Sequence, residues 1–242
     1  MRTRLCSKPL PCLLLLLGLG ILTSLGVWQL QRAAEKSEIL QNYEIQKKLP
    51  PVALDISLDD FSHLRYRKVE ANGVYDAEKQ FLLDNQIRNG QAGFSILTPL
   101  RLSGGVNKAV LVDRGWIPLG LTRQLLPDVA VEQKKARISG SLYVPFGKAF
   151  SLGEMDAGGI GWPRVIQYMA FSEISERLGY DLLPVIIRLS PDAPDGYLRE
   201  WAPLPFTPAR HIAYAVQWFG LALALLVIVV VATLKQQKSE DD

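Results

Sequence analysis

IAYAVQWFGLALALLVIVVVATL, Ile212 to Leu234, contains no charged side chain, and LPCLLLLLGLGILTSLGVWQLQ, Leu10 to Gln31, matches it at the other end of the chain. A hydrocarbon core of roughly 30 Å takes about 20 apolar residues at about 1.5 Å rise each, so either run is long enough to cross. Two crossings leave everything between them on one side of the bilayer. The spacing predicts a cytoplasmic tail over 1–9, a transmembrane helix over 10–31, a helical stalk over 32–50 and an exported domain over 51–190. A proline-rich connector over 191–210, a second transmembrane helix over 211–234 and a cytoplasmic tail over 235–242 complete the chain.

Arg2, Arg4 and Lys8 precede the first run, and Lys235 and Lys238 follow the second. Short basic tails stay inside, so both termini are expected in the cytoplasm and the central domain in the periplasm. Ser24 and Gly26 offer small residues at a cleavage spacing, but the uncharged stretch continues through Val27, Trp28 and Leu30, longer than a signal-peptide core, and a retained anchor is expected. The nine residues ahead of it hold no Arg-rich, Ser-rich presequence, which favours a bacterial inner membrane. The charge is near balance, 27 Lys and Arg against 24 Asp and Glu, and no nucleic-acid partner is expected. Cys6 and Cys12 are the two cysteines, both at the cytoplasmic end of the first run. Their position removes disulfides, thiol exchange and thiolate metal sites from the exported domain, which must hold together by packing.

Good helix formers run from Arg32 to Lys48 and stop at Pro50 and Pro51. Strand signals follow: Arg65 to Tyr75, interrupted by Asn72 and Gly73; Gln80 to Asn85; then the turn pair Asn89-Gly90 before Phe94 to Leu100. Ala109 to Val112, leading into Asp113-Arg114-Gly115-Trp116-Ile117-Pro118, makes another, with further strands across Arg137 to Val144 and Val185 to Leu189. Ser172 to Leu178 reads as a helix capped by Ser172 and stopped by Gly179. The expected fold class is a membrane protein whose two transmembrane helices flank a β-rich α+β domain, an antiparallel sheet curling toward a small barrel.

His63 and His211 are the two histidines, and they cannot assemble a three- or four-ligand nitrogen and sulfur metal site in one chain. There is no phosphate-binding loop ending in Lys-Ser or Lys-Thr and no Gly-x-Ser-x-Gly elbow. Gly158, Gly159 and Gly161 read as a loop, and Asp84, Asp113 and Glu154 as scattered carboxylates without an acid-base pair. A buried turn pairing Arg114 with Asp113 accounts for the Asp-Arg-Gly-Trp sequence. An enzyme is not expected.

The polar and aromatic residues at the domain-facing ends of the two runs are different. On the second, His211, Tyr214 and Trp218 recur at steps of three and four and share a face that Gln217 flanks, with Arg210 ahead of them. On the first, Trp28, Gln29 and Arg32 are three and four apart. Tryptophan and tyrosine belong in interfacial belts and arginine snorkels, so part of this is ordinary membrane anchoring. His211 and Gln217 are not covered by that account, because polar groups within a span are costly and face a partner or a ligand. Neutral imidazole is the usual protein ligand of haem iron, and arginine pairs with propionates. An amphipathic porphyrin suits such a cleft, its ring toward lipid and its acid groups toward Arg32 or Arg210.

The order of these islands resembles the Surfeit-locus family of cytochrome c oxidase assembly factors. The residues that carry it are Gly26, Trp28, Gln29 and Arg32; Gly93, Phe94 and Leu97 to Leu100; Val112 to Pro118; and Arg210-His211-x-x-Tyr214-Ala215-x-Gln217-Trp218-Phe219. Phe94-Ser95-Ile96 departs from an aromatic-richer version of the middle motif. The resemblance implies assistance to haem A insertion into, or maturation of, oxidase subunit I. It implies that subunit, the haem A synthesis machinery and the lipid bilayer as partners, and His211 as axial ligand of the haem iron. Arg210 and Arg32 would then meet propionates, with Gln29, Trp28, Tyr214, Gln217 and Trp218 lining the site. The competing expectation is a scaffold that binds oxidase subunits without cofactor, its helices docking through Gly18, Gly20, Gly26, Gly220, Ala222 and Ala224.

Overall fold

The computed structural model describes residues 9–104, 107–120, 125–145, 161–203 and 207–241. Cys6, the basic residues of the first tail, Glu154, Gly158 and Gly159 lie outside them. The chain divides into two compact units, one made of its two ends, Met1–Gln41 with Pro203–Asp242, and one of Asn42–Ala202.

The first unit is a pair of long helices, most of α1 (Pro9–Lys48) and α3 (Pro208–Asp241). Among the described residues these are the two helices long and apolar enough to cross a membrane. Their partly or fully buried positions recur every three to four residues: Leu22, Leu25, Gly26, Gln29 and Ala33 on α1, and His211, Ala215, Trp218, Ala222 and Leu225 on α3. That is the stripe a two-helix seam requires. The remaining faces are apolar and exposed, as at Leu16, Val27, Val216, Leu223 and Ile228.

The second unit is built on strands β1 (Val52–Ala53), β2 (Lys68–Tyr75), β3 (Phe81–Arg88), β4 (Gln91–Leu102), β5 (Lys108–Pro118), β6 (Lys135–Tyr143), β7 (Arg164–Ile166) and β8 (Asp181–Leu189), with one helix, α2 (Phe171–Leu178). The order is β1-β2-β6-β8-β5-β4-β3-β7, and β2 also pairs with β4, so the pairings of β2, β6, β8, β5 and β4 close on themselves. The sheet is mixed rather than antiparallel as expected: β5 and β8, β3 and β7, and β1 and β2 run parallel. The chain reaches β8 through α2, a crossover that brings the strand back in the direction of β5.

Asn89 and Gly90 both take positive φ, 49° and 78°, and join β3 to β4 as the two-residue hairpin their sequence predicts. Asn72 and Gly73 do not interrupt β2. Gly73 is where β2 meets both β4 and β6, and a Cβ there would run into the Arg101 carbonyl and the Leu100 side chain. A residue read locally as a break is thus the point of closest approach.

Alternation along the strands divides the apolar side chains among three clusters, the smallest made of Leu82, Phe94, Ile96 and Val129. Val110 and Val112 join Val69, Ala71, Leu100, Ile138, Leu142, Val185 and Ile187 in one, while Ala109 and Leu111 turn to Phe81, Leu97, Ile186 and the Ile174 and Leu178 of α2 in another. Ile174 and Leu178 are one helical turn apart and almost wholly buried, and each contributes about 1.5–3 kcal/mol by leaving water. Ala170, not Ser172, is the N-cap of α2, without a side-chain cap bond, and Gly179 ends it at φ 79°.

The Asp-Arg-Gly-Trp sequence is a bulge within β5 and not a turn. Asp113 lies opposite Leu97 and Trp116 opposite Ser95, so Arg114 and Gly115 share one place in the ladder. Gly115 takes φ 117°, and a Cβ on it would meet the Leu198 carbonyl at 2.8 Å. The bulge holds the returning chain: Trp116 N–H donates to the Leu198 carbonyl at 2.8 Å and Tyr197 N–H to the Arg114 carbonyl at 2.8 Å. The connector is therefore tied to β5 before it reaches Trp201.

Arg114 and Asp113 do not pair, because neighbours on a strand point to opposite faces. The Arg114 guanidinium is buried and donates to the carbonyls of Asp195, Val129 and Ala130 and to Gln80 Oε1, at 2.7–3.1 Å. Gln80 Oε1 also accepts from Thr98 at 2.7 Å. Asp113 accepts from Gly115 N–H at 3.1 Å. Burial pushes its carboxyl up to about 7, against the opposing pull of Arg188, the Gly115 bond and Arg88.

A carboxyl near 7 in the fold and 3.8 when unfolded holds its proton more tightly in the folded state. Its contribution to stability is complete below the unfolded value and is lost as pH rises through the folded one. Asp113→Asn keeps an acceptor for Gly115 and removes the ionisation. In denaturant titrations of the full chain in micelles, the variant should match the parent near pH ~4 and exceed it increasingly up to pH ~8, by at most roughly 4 kcal/mol. A difference independent of pH would show that Asp113 ionises freely in the fold.

Candidate functional site

Glycine and alanine let the two long helices approach. Gly26 is buried, and a Cβ added to it would fall 2.6 Å from the Phe219 ring; one on Gly18 would fall 3.3 Å from Leu225. Ala33, Ala215 and Ala222 are buried in the same seam. As the contacts descend α1 from Gln29 through Gly26 to Gly18 they ascend α3 from His211 through Phe219 to Leu225, so the helices are antiparallel.

His211 and Gln29 meet within this pair, His211 Nδ1 lying 2.8 Å from Gln29 Oε1, and both side chains are half-buried. An amide oxygen only accepts, so in this contact Nδ1–H is the donor, and Nε2 lies on the other side of the ring. At about 100° per residue, Trp28 and Arg32 lie about 60–100° to one side of Gln29, and Tyr214, Arg210 and Gln217 about 60–120° to the same side of His211. In an antiparallel pair, offsets of the same sense fall on one flank. Gly26 and Phe219 lie in the opposite sense on their helices, and they do meet.

The predicted residues therefore separate by depth. Gln29, His211 and Trp218 are half-buried along the seam, whereas Trp28, Tyr214, Arg210 and Gln217 are exposed on the flank. Arg32 donates to Glu35 at 2.7 Å and lies 5.8 Å from the centre of the Trp28 ring. Glu35 escaped the sequence reading, although its i+3 spacing from Arg32 was the available signal. Ala215, also unassigned there, is the step between His211 and Trp218. Of the small residues proposed for helix docking, Gly18, Gly26 and Ala222 serve the internal seam, whereas a Cβ on Gly20 or Gly220 would touch nothing within 4 Å.

A family model described as the SURF1 family matches residues 16–223, a span that takes in both helices around His211 and Gln29. The chain belongs to the SURF1 family. Surfeit locus protein 1 of Arabidopsis thaliana is 32% identical over 117 residues, 44% of this chain and 33% of that protein. The SURF1-like protein of Monosiga brevicollis is 28% identical over 114 residues, 43% of each. The chain thus spans less than half the length of these two relatives. The SURF1-like protein of Rickettsia felis is 28% identical over 227 residues, 90% of this chain and 95% of its own. In this SURF1-family chain the Asp-Arg-Gly-Trp and Gly-Phe islands pack within the β-rich unit, and the Gln29 and His211 islands meet in the helix pair.

With Cys6 and Cys12 removed, a short bismaleimide should join Gln29→Cys to His211→Cys in membranes and leave Gln29→Cys with Gln217→Cys unjoined. Gly26→Leu should lower the yield of the first pair, since overpacking of this kind costs about 1–3 kcal/mol. Phe219→Ala should restore it. Equal yields from both cysteine pairs would mean that the helices meet in another orientation.

Proposed function

We propose that this protein is an assembly factor for haem-copper cytochrome c oxidase that holds haem A on its way into subunit I. The observation that carries the reading is the imidazole of His211, whose Nδ1 lies 2.8 Å from Gln29 Oε1 across the helix pair, with Nε2 on the other side of the ring. Imidazoles that bind metals almost always donate their second ring N–H to a neighbouring oxygen, and this one does so across two helices. The donor set suits an iron porphyrin: His211 would hold the iron, Arg32 and Arg210 would pair with the propionates, and Trp28, Tyr214 and Trp218 would pack against the ring. The porphyrin iron supplies an open coordination position for a neutral nitrogen donor.

Arg32 is occupied by Glu35, with side chains about half exposed, 46% and 54%. An exposed pair of this kind is worth about 0–1 kcal/mol, so a propionate exchanges for Glu35 at little cost. Trp28 beside the guanidinium offers a flat face to a macrocycle. On this reading the β-rich unit lies in the periplasm of a bacterial inner membrane and both termini in the cytoplasm. Subunit I and the haem A synthesis machinery are the partners, and the protein catalyses no reaction of its own.

The scaffold reading needs small residues free for a partner's helices. Gly18, Gly26 and Ala222 are used within the chain, which leaves Gly20, Gly220 and the exposed Ala224 for that role. The two readings separate by co-expression with the haem A pathway and purification in detergent. Parent protein should carry haem A, and His211→Ala should carry at least tenfold less by absorption spectroscopy. Equal haem content in both would remove His211 as ligand. Capture of an oxidase subunit by cross-linkers at Gly20→Cys and Gly220→Cys, undiminished when haem synthesis is blocked, would favour the scaffold.

A further inference from the structure

We propose that Gln29 is a positioning residue that fixes His211 as the Nδ1–H tautomer and makes Nε2 a releasable donor; the second half of this inference rests on the haem reading above. The 2.8 Å contact joins residues 182 apart in sequence, so it depends on the helix pair and not on local chain geometry. It is the one hydrogen bond of the His211 side chain among the described residues. A free imidazole populates both tautomers, and only the one protonated on Nδ1 offers Nε2 to a metal. With the Gln29 amide oxygen accepting, that tautomer alone satisfies the pair. The reversed amide would donate to Nδ1, protonate Nε2 and close the ligand position. One side chain on α1 thereby decides whether a side chain on α3 can bind iron.

The choice of amide over carboxylate has its own consequence. A carboxylate behind an imidazole draws the Nδ1 proton and makes Nε2 a stronger donor, which favours ferric over ferrous iron. A neutral amide oxygen polarises the ring less and leaves the Nε2–iron bond weaker. A protein that must pass its porphyrin on is served by the weaker bond. Gln29 therefore acts through His211 and does not itself touch the porphyrin.

The test uses the full chain in lipid nanodiscs. Imidazole nitrogen NMR of histidine-labelled protein without haem reports the tautomer directly, with His63, the other histidine, removed by His63→Gln to leave one signal. The expected result is a single Nδ1–H tautomer in the parent and a mixture in Gln29→Leu. A parent held as the Nε2–H tautomer would overturn the proposal whatever haem does. The second measurement is a potentiometric titration of haem A-loaded protein. Gln29→Glu should shift the ferric-over-ferrous preference about tenfold, ~59 mV lower for a one-electron couple. Identical potentials and spectra in parent, Gln29→Leu and Gln29→Glu would also overturn it. A fixed tautomer in protein that takes up no haem A supports the tautomer assignment and sinks the haem reading, so the two failures are distinct. Gln29→Asn, which retains the amide on a shorter arm, guards against a packing defect: it should keep a cross-link between Gly18→Cys and Leu225→Cys, which meet elsewhere in the seam, and lose the single tautomer.

Discussion

A polar side chain on an apolar helix has to find a partner, and in this protein the partner of His211 on α3 is Gln29 on α1. Where two apolar helices cross a bilayer little hydrophobic force drives them together, so association there rests on close packing and on hydrogen bonds between them. Gly26 under the Phe219 ring provides the packing, and the histidine-glutamine bond provides a fixed point along the seam. Model systems put such a bond at about 0.6–2 kcal/mol, too little to hold a pair alone but enough to choose one alignment among several. The rest of the candidate site follows from that alignment. Once Gln29 faces His211, helix periodicity places Trp28, Arg32, Tyr214 and Arg210 on a common flank.

The β-rich unit solves a different problem, that of burying a cation. Arg114 sits in the fold without a carboxylate partner among the described residues and is held by three backbone carbonyls and a glutamine oxygen. A guanidinium presents five donors in a rigid fork, and acceptors from residues 80, 129, 130 and 195 converge on it. One side chain thereby ties together segments distant in sequence. The Gly115 bulge, one residue on, adds the main-chain bonds that hold Tyr197 and Leu198. What Asp-Arg-Gly-Trp holds together was not legible locally, because the acceptors of Arg114 and the chain tied by Gly115 come from distant segments.

Much of the architecture was readable from the chain. An uncharged run of more than twenty residues has few alternative fates, and Asn89-Gly90 between two apolar stretches names its own turn. What failed did so where a residue's meaning is set by something far away. Gly73 resembles a strand breaker until β4 is placed against it. The parallel pairing of β8 with β5 depends on the path of the chain through α2, which no periodicity of β8 itself encodes. The expected Asp113 pair with Arg114 failed for a nearer reason: on a strand, adjacent side chains diverge. In the helix pair, the shared face of His211 and Trp218 was legible from spacing, and so was the interest of Gln29. Their direct contact was not, because a helical wheel gives each helix its own face and says nothing about register between two.

A pair of membrane anchors needs only length and apolar surface, and judged as anchors these helices are poorly composed. A glycine in a helix costs about 1 kcal/mol relative to alanine, and a polar side chain at membrane depth costs more unless it is paired. Gly26, Gln29 and His211 fall within about two turns of one another in the assembled pair, so the departures from a plain anchor are concentrated at one level. Packing against Phe219 offsets the first cost, and the mutual hydrogen bond offsets part of the other two. That bond uses only Nδ1 of the imidazole and only the oxygen of the amide. The contact lies beside a flank that carries two arginines and two exposed aromatic rings. Two plain anchors would have no reason to concentrate these three departures at one level of the seam.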